Sequence, residues 1–283
     1  MDDIYFTPYK VSTITCNVDL GINIDLVVLY ENFTIEGKSN FIWIHYPKIE
    51  GDNKRGVYPK KKRNVKNTTK KTSFDNQVTV LYKADNYPNL KIFKNGNIQI
   101  TGVKNKDDVN VIVNQVIEEV KRIQKLNPKI SSNENFNEAI GFNNFHIRMI
   151  NTDFKTYSNP EMTDKFIIRR KVLHKILISD EYNNKCSFEP GKYHGVKLEF
   201  FWNKNKDNQD GICSCSDYCF GKGSGCGLNN CKKITVAIFE SGSVLITGGV
   251  SFEQIDDAYN YITTIFKNHK EELKKSDLAN LIC

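Results

Sequence analysis

LKIFKNGNIQITGV (Leu90–Val103) and VAIFESGSVLITGGV (Val236–Val250) are two copies of one pattern. Phe93, Gly96, Ile100, Thr101 and Gly102 have counterparts in Phe239, Gly242, Ile246, Thr247 and Gly248, each 146 residues further on (239 − 93). Apolar residues, an Asn-Gly or Ser-Gly turn, then residues of alternating character are the signature of a two-faced β-hairpin. Successive strand side chains point to opposite faces, so Ile92, Ile98 and Ile100 share one face, as do Ile238, Val244 and Ile246. That face is the predicted core. The opposite face carries Phe93, Gln99 and Thr101 in one copy and Phe239, Leu245 and Thr247 in the other. Large aromatics among small polar groups are unusual for a solvated surface, and this face is expected to meet a partner.

The segment after each hairpin is repeated as well. Asp107–Lys125 has Val109, Ile112, Val113, Val116, Val120 and Ile123 on one helical face, with Asp107 and Asp108 favourably placed in the first turn. Ser251–Leu273 starts on a Ser251/Gln254 capping box and carries a stripe of Phe252, Ile255, Tyr259, Ile262 and Phe266. The chain is therefore an internal duplication of a sheet-plus-helix unit. The predicted division is 1–130 for the first repeat and 131–283 for the second.

At 283 residues and 39% apolar content the chain can bury a core without disulfide staples. No apolar run approaches the roughly 20 residues that cross a bilayer. The start, MDDIYFTPYK, is polar and acidic where a secretion signal would be basic and then apolar, so an intracellular protein with no membrane partner is expected. The formal charge of +7 matters less than its distribution.

Between the hairpins and their flanks, Val11–Leu26 is rich in β-branched residues with a turn near Gly21, and Phe41–Tyr46 and Asn76–Leu81 read as strands. An insertion, 54–71, holds nine Lys or Arg and no acid. Such a run is expected to be solvated; it is either a solubilising loop or localisation signal, or a contact for nucleic-acid phosphates. Residues 126–141 read as a linker. In the second repeat Phe145–Met149 reads as a strand, Arg169–Ile178 is open between helix and extended chain, and Gly195–Trp202 is matched by position with the strand at Phe41–Tyr46.

These motifs, in this order, resemble the TATA-box-binding protein family. The hairpins end in IF-x-x-G-x-x-x-x-TG, VDLGINIDL (Val18–Leu26) looks like the family's opening strand and turn, FNNFHIRMI (Phe142–Ile150) like its interrepeat entry, and FEPGKYHGVKLEF (Phe188–Phe200) like its second-repeat E-P-x-x-F-x-G stretch. The long insertions and a cysteine cluster look like divergent relatives encoded by large cytoplasmic DNA viruses. The resemblance implies an α+β fold: a saddle of two pseudo-symmetric repeats, a curved antiparallel sheet with helices on its convex side, plus a Cys-rich insertion at 203–232. It implies a transcription initiation factor that sets a concave sheet on the DNA minor groove, with double-stranded DNA, RNA polymerase and a B-type initiation factor as partners. Action in the host cytoplasm or virion goes with a viral origin.

Carried over by position, Phe93, Phe239 and Tyr193 are the implied wedge residues, with the remaining one near Ser39 or Phe41. Gln99, Thr101, Leu245 and Thr247 share their face, and Lys60, Lys61, Lys62 and Arg63 are candidate phosphate contacts. The family's central Asn positions become Thr13 and Met149, and Gln99 replaces an apolar groove-facing residue. Minor-groove readout already distinguishes little beyond A·T from G·C. Losing these amides predicts a weakened TATA preference over retained general DNA binding.

Five of eight cysteines fall within Cys213–Cys231, spaced C-x-C-x3-C-x6-C-x4-C among Gly and Ser. That density in a short polar loop suits tetrahedral thiolate coordination, so Cys213, Cys215, Cys219 and Cys231 are the predicted zinc ligands and Cys226 the spare. A disulfide-knotted loop and free thiols are the rivals. Cys16, Cys186 and Cys283 read as ordinary residues. Five scattered His, no HExxH and no nucleophile with a nearby base leave no enzymatic constellation. Beside an initiation factor, the sequence leaves open a protein-interaction or structural module that kept the saddle but lost specific DNA binding.

Overall fold

Each predicted hairpin forms, and each lies in its own compact unit. The computed structural model describes residues 3–35, 37, 39–59, 76–215, 219, 221–228 and 230–275. In chain order the elements are β1 (Tyr5–Phe6), β2 (Lys10–Asp19), α1 (Leu26–Asn32), β3 (Phe41–His45), β4 (Lys54–Gly56), β5 (Gln77–Tyr82), β6 (Asn89–Phe93), β7 (Asn97–Val103) and α2 (Lys106–Leu126). The chain continues with α3 (Phe136–Ala139), β8 (Asn143–Tyr157), α4 (Arg170–Leu177), β9 (Lys185–Ser187), β10 (Val196–Trp202), β11 (Lys232–Ile238), β12 (Ser243–Gly249), α5 (Phe252–Asn268) and α6 (Lys270–Leu273).

One unit comprises residues 13–147, the other residues 1–12 with 148–283. This corrects the division near residue 130 at both ends. The first residues belong with the second repeat because β1 pairs with β8, Ser12 Oγ donates to Asp153 at 2.6 Å and Tyr259 Oη donates to the Thr7 carbonyl at 3.0 Å. The supposed linker belongs with the first repeat: Ile130 and Phe136 are buried, Asp25 N–H donates to the Ile130 carbonyl, and Gly141 N–H to the Leu20 carbonyl.

In the first repeat the antiparallel order is β4-β3-β5-β6-β7-β2. The second repeat runs β9-β10-β11-β12-β8. All the predicted core-face residues, Ile92, Ile98, Ile100, Ile238, Val244 and Ile246, are fully buried. The stripe of α2 packs on that face, with Val109, Ile112, Val113, Val116, Val120 and Ile123 buried; α5 supplies Ile255, Ile262 and Phe266 in the second repeat, while Phe252 of the predicted stripe is exposed and Tyr259 half-buried. Both helices begin as their sequences dictate, on side-chain caps: Asn105 Oδ1 accepts from Asp108 N–H at 2.8 Å and Ser251 Oγ from Gln254 N–H at 3.4 Å. The undecided stretch at 169–178 is helix α4, burying Leu173, Ile176 and Leu177.

The repeats agree down to a defect. Ile14 pairs with Val103 but Thr15 with Thr101, so Gly102 is bulged out; Ile150 pairs with Gly249 while Asn151 pairs with Thr247, bulging Gly248. Both glycines hold positive φ, +106° and +97°, the conformation a one-residue bulge asks of its extra residue.

Two expectations are overturned. Val78 pairs with Ile92 as Val196 pairs with Ile238, so the counterpart of β10 is β5, and β3 lies one strand further out, where β9 stands in the second repeat. Pairing register, which a sequence pattern alone does not carry, decides this. The basic insertion is also not wholly solvated. Its start forms β4, where the Arg55 guanidinium donates to the Tyr30 carbonyl and, at 3.0 Å, to that of Phe33, and lies over the Tyr30 ring. Lys60, Lys61, Lys62 and Arg63 fall outside the described residues, as does Cys283.

Candidate nucleic-acid interface and thiol cluster

Helices cover one face of each sheet; the residues that alternate with the core form the other. In the first repeat His45, Thr79, Lys91, Gln99 and Asn17 stand in one row across five strands, and Trp43, Leu81, Asn89, Thr101 and Thr15 in the next. Thr15 Oγ1 and Thr101 Oγ1 hydrogen-bond at 3.2 Å. Phe93 sits at the hairpin end, opposite Gln77. In the second repeat the rows are Ser187, Lys197, Ala237, Leu245 and Asp153, then Lys185, Glu199, Thr235, Thr247 and Asn151. Phe93, Gln99, Thr101, Phe239, Leu245, Thr247, Thr13 and Met149 thus all project from the helix-free faces, half-buried or exposed.

At the second hairpin Tyr193 meets Phe239 edge-on, ring centroids 5.8 Å apart, with the tyrosine 43% exposed. Gly195 permits this, since a Cβ there would lie 2.9 Å from one ring and 3.2 Å from the other. Phe41 is a different matter and is corrected. It is 3% exposed and packs edge-on against Phe33 and Tyr82, at 5.0 and 5.4 Å, on the core side. Counting three residues back from Val78, as Tyr193 stands three before Val196, gives Asp75 beside Phe74, outside the described residues.

The structure adds residues that carry no motif of their own. Thr13 and Met149 occupy equivalent places, one residue before Ile14 and Ile150. Neither is an amide, but Asn17 and Asn151 stand on the same faces, four and two residues further along. Their Oδ1 atoms and Thr13 Oγ1 are buried without a hydrogen-bond partner. Alternation, one residue back from Val18 and one residue on from Ile150, is the signal that would have found them.

The four predicted ligand cysteines converge: their Sγ atoms lie within 4.8 Å of one another. Cys219 and Cys231 approach to 3.0 Å, Cys231 and Cys213 to 3.3 Å, Cys213 and Cys219 to 3.7 Å, and all are free thiols. Backbone N–H groups of Gly223 and Cys231 donate to the sulfurs of Cys219 and Cys215 at 3.1 and 3.2 Å. Burial would raise the Cys219 thiol, but hydrogen bonds from Cys231, Gly223, Cys213 and Cys215 bring it down to about 7; burial and hydrogen bonds with Cys219, Cys213 and Cys215 push Cys231 up. The residue types and spacing fit a closed four-thiolate site able to hold a metal ion. Cys226 is exposed and outside the cluster; Cys16 and Cys186 lie in β2 and β9, both pushed up to about 12 by burial.

Two sheet-plus-helix repeats with the same bulge, one face each free of helices among the described residues and a thiol cluster in one of them define a duplicated α+β protein. No protein-family profile matches the chain. The curated "TATA-box-binding protein-like" protein of Acanthamoeba polyphaga mimivirus is 30% identical over 276 residues, covering 94% of this chain and 66% of that protein. Among solved structures, Methanococcus jannaschii TBP matches 94% of this chain and 99% of its own, at 17% identity and a TM-score of 0.47. The chain belongs to the TATA-box-binding-protein-like family, in a divergent form similar to a viral one. It spans 66% of the length of that relative. Among the described residues no helix is long and apolar enough to cross a membrane.

Proposed function

We propose that the chain is a DNA-binding transcription initiation factor that receives the minor groove of duplex DNA on the helix-free faces of its sheets, and that its four clustered thiols hold zinc. The observation that carries this reading is the placement of Phe93, and of Phe239 with Tyr193, at hairpin ends on faces that no helix among the described residues covers. Minor-groove kinking by inserted aromatics is the family's known behaviour, taken over here by resemblance. Asn17 and Asn151 supply amides where Thr13 and Met149 do not, so base-edge contacts are displaced along the same strands. The Lys60–Arg63 run adds phosphate contacts, and RNA polymerase and a B-type initiation factor are the expected partners. The viral source of the relative supports action in host cytoplasm or virion.

One observation favours the alternative, a protein-interaction module. Glu199 stands in the middle of the second free face, held by Lys185 at 2.8 Å and Lys233 at 3.7 Å, and a carboxylate there opposes phosphate.

A mobility-shift titration with circularly permuted A·T-rich duplexes separates the two. The wild type should bind with an affinity that falls steeply with salt, at a slope of about 0.9 per phosphate contact, and should bend the duplex. Phe93→Ala with Phe239→Ala should reduce both affinity and bending, whereas replacing Lys60, Lys61, Lys62 and Arg63 by Ala should flatten the salt slope with sequence preference unchanged. Absence of salt-sensitive binding, or equal binding and bending with both Phe replaced, would transfer the case to the interaction module.

A further inference from the structure

The thiol cluster is not an appendage at the edge of the second repeat; it stands on the free face. Lys197, Glu199 and Phe201 alternate with the buried Val196, Leu198, Phe200 and Trp202 along β10, and Cys219 and Cys231 form one buried cluster with Phe201. Lys233, which pairs with Phe201, belongs to the same face. The Gly-rich segment is pressed onto it: Gly223 accepts from and nearly touches Lys233, where a Cβ would come within 2.4 Å, and it holds φ +61° while donating to Cys219 Sγ. The same insertion passes around the strand ends to the helix side, where Gly227 lies flat against Trp202 and Gln254 Nε2 donates to the Cys226 carbonyl at 3.1 Å. The insertion therefore grips the sheet from both sides and ends the free face with a wall.

The charges at that wall fit a polyanion. Lys185, Lys197 and Lys222 are exposed and Lys233 is partly so, against the carboxylate of Glu199, which two of them already neutralise. Lys222 is held in place by the turn that closes on Cys219, its N–H donating to the Cys219 carbonyl at 2.8 Å.

We infer that the thiol module is part of the nucleic-acid interface: held by zinc, it sets Lys222 and Lys233 at the end of the second free face to contact duplex phosphates beyond those reached by the hairpin. This rests on the DNA-binding reading proposed above. It gives zinc a role in binding strength as well as in local folding, because a thiol cluster without metal leaves the Lys222 turn unfixed.

Fluorescence anisotropy with an A·T-rich duplex over a salt series tests it, using the full chain loaded with zinc and the same chain after chelation. Chelation should lower the salt slope by about one to two, since each lost phosphate contact removes about 0.9, and weaken binding roughly tenfold at low salt. Lys222→Ala with Lys233→Ala in the zinc-loaded protein should reproduce that loss with zinc content and melting temperature unchanged. Phe239→Ala should still weaken the chelated protein, because the hairpin keeps its own core. If Phe239→Ala weakens binding but neither chelation nor the lysine pair alters slope or affinity, the inference is overturned and the DNA-binding reading stands. If the zinc-loaded wild type shows no salt-dependent duplex binding, both fall.

Discussion

The two repeats share a hairpin, a bulge and a long capped helix, yet they differ in how the strand pair before the hairpin is joined. In the first repeat β5 returns to β6 through Lys83–Pro88. In the second, β10 and β11 are joined by Asn203–Cys231, although their pairing runs unbroken from Val196↔Ile238 to Trp202↔Lys232. A long excursion leaves the register intact because the entropy of closing a loop grows only slowly with its length, and contacts within the loop can offset it. Here the offset is local and chemical: four sulfurs, two N–H to sulfur hydrogen bonds and a glycine pressed onto Lys233. The sheet tolerates novelty where its strands turn around, and that is where the second repeat differs from the first.

The largest expected effect tests that account. Cys219→Ser with Cys231→Ser should take bound zinc from about one per chain to none by native mass spectrometry, and limited proteolysis should then cut within 203–231. Structural zinc is worth about 10–16 kcal/mol in small zinc-finger peptides, so its loss should undo the module outright. The first repeat, with its core elsewhere, should keep its protease resistance. Disulfides and no metal after reducing purification would show the rival chemistry.

The next effect asks whether core and free faces are correctly assigned in both copies. Ile100→Ala and Ile246→Ala remove fully buried side chains at matching places, and each should cost about 2–5 kcal/mol in urea unfolding. Phe93→Ala and Phe239→Ala should each cost under about 1 kcal/mol, as surface positions do. Equal losses from Phe93 and Ile100 would put Phe93 in the core and break the proposed interface.

How much of this is legible in the sequence is set by how far apart the interacting residues lie. Hairpins, helix caps and the buried face of α2 are written in spacings of two to four residues and read correctly, as does the α5 face apart from Phe252, which is exposed, and Tyr259, which is half-buried. The sulfurs of Cys213, Cys215, Cys219 and Cys231 come together because their chain separations are short. Phe41 reads wrongly because its place depends on which strand β6 pairs with, and both candidates are apolar and β-branched. Arg55 reads as solvated because its acceptors, the carbonyls of Tyr30 and Phe33, are backbone atoms at the end of α1 that carry no sequence signal. Asn17 and Asn151 are marked only by alternation, and the family's own Asn positions point elsewhere on the same strands.

A smaller effect tests the shared bulge. Gly248→Ala meets the Lys233 carbonyl at 3.4 Å, an ordinary contact, and Gly102→Ala meets Pro88 Cα at 3.3 Å, which a shift of a few tenths of an ångström relieves. The cost should therefore come from positive φ rather than collision, about 1–2 kcal/mol at each site by thermal unfolding. Costs that differ by more than the whole of that range would mean the two bulges are alike in register but not in strain.

The smallest effect concerns how each repeat ties its short helix down, and it depends on pH. In the first repeat Glu119 on α2 accepts from Arg122 at 2.7 and 2.9 Å and from Thr34 N–H at 2.5 Å, while Arg122 also donates to the Asn32 carbonyl at the end of α1. Burial pushes the Glu119 carboxyl up, but the hydrogen bonds from Arg122 and Thr34 outweigh it and hold the group below the usual carboxylate range. The second repeat has buried Ile265 at the matching place (119 + 146) and instead anchors the start of α4 through Arg170 to Glu240 at 2.5 Å, with Lys275 at 2.7 Å. Those cations hold Glu240 low as well, but its side chain is 38% exposed against 12% for Glu119, so solvent screens the gain. A carboxylate depressed by folding contributes stability that is present above its unfolded pKa and lost as pH falls through the folded one. Between about pH 6 and pH 3.5 the wild type should therefore lose about 1 kcal/mol more than Glu119→Gln, the order of one typical net hydrogen bond. Glu240→Gln should track the wild type closely over the same range. Thermal melts at the two pH values measure both, and a larger change from Glu240 than from Glu119 would reverse the order of the two ties.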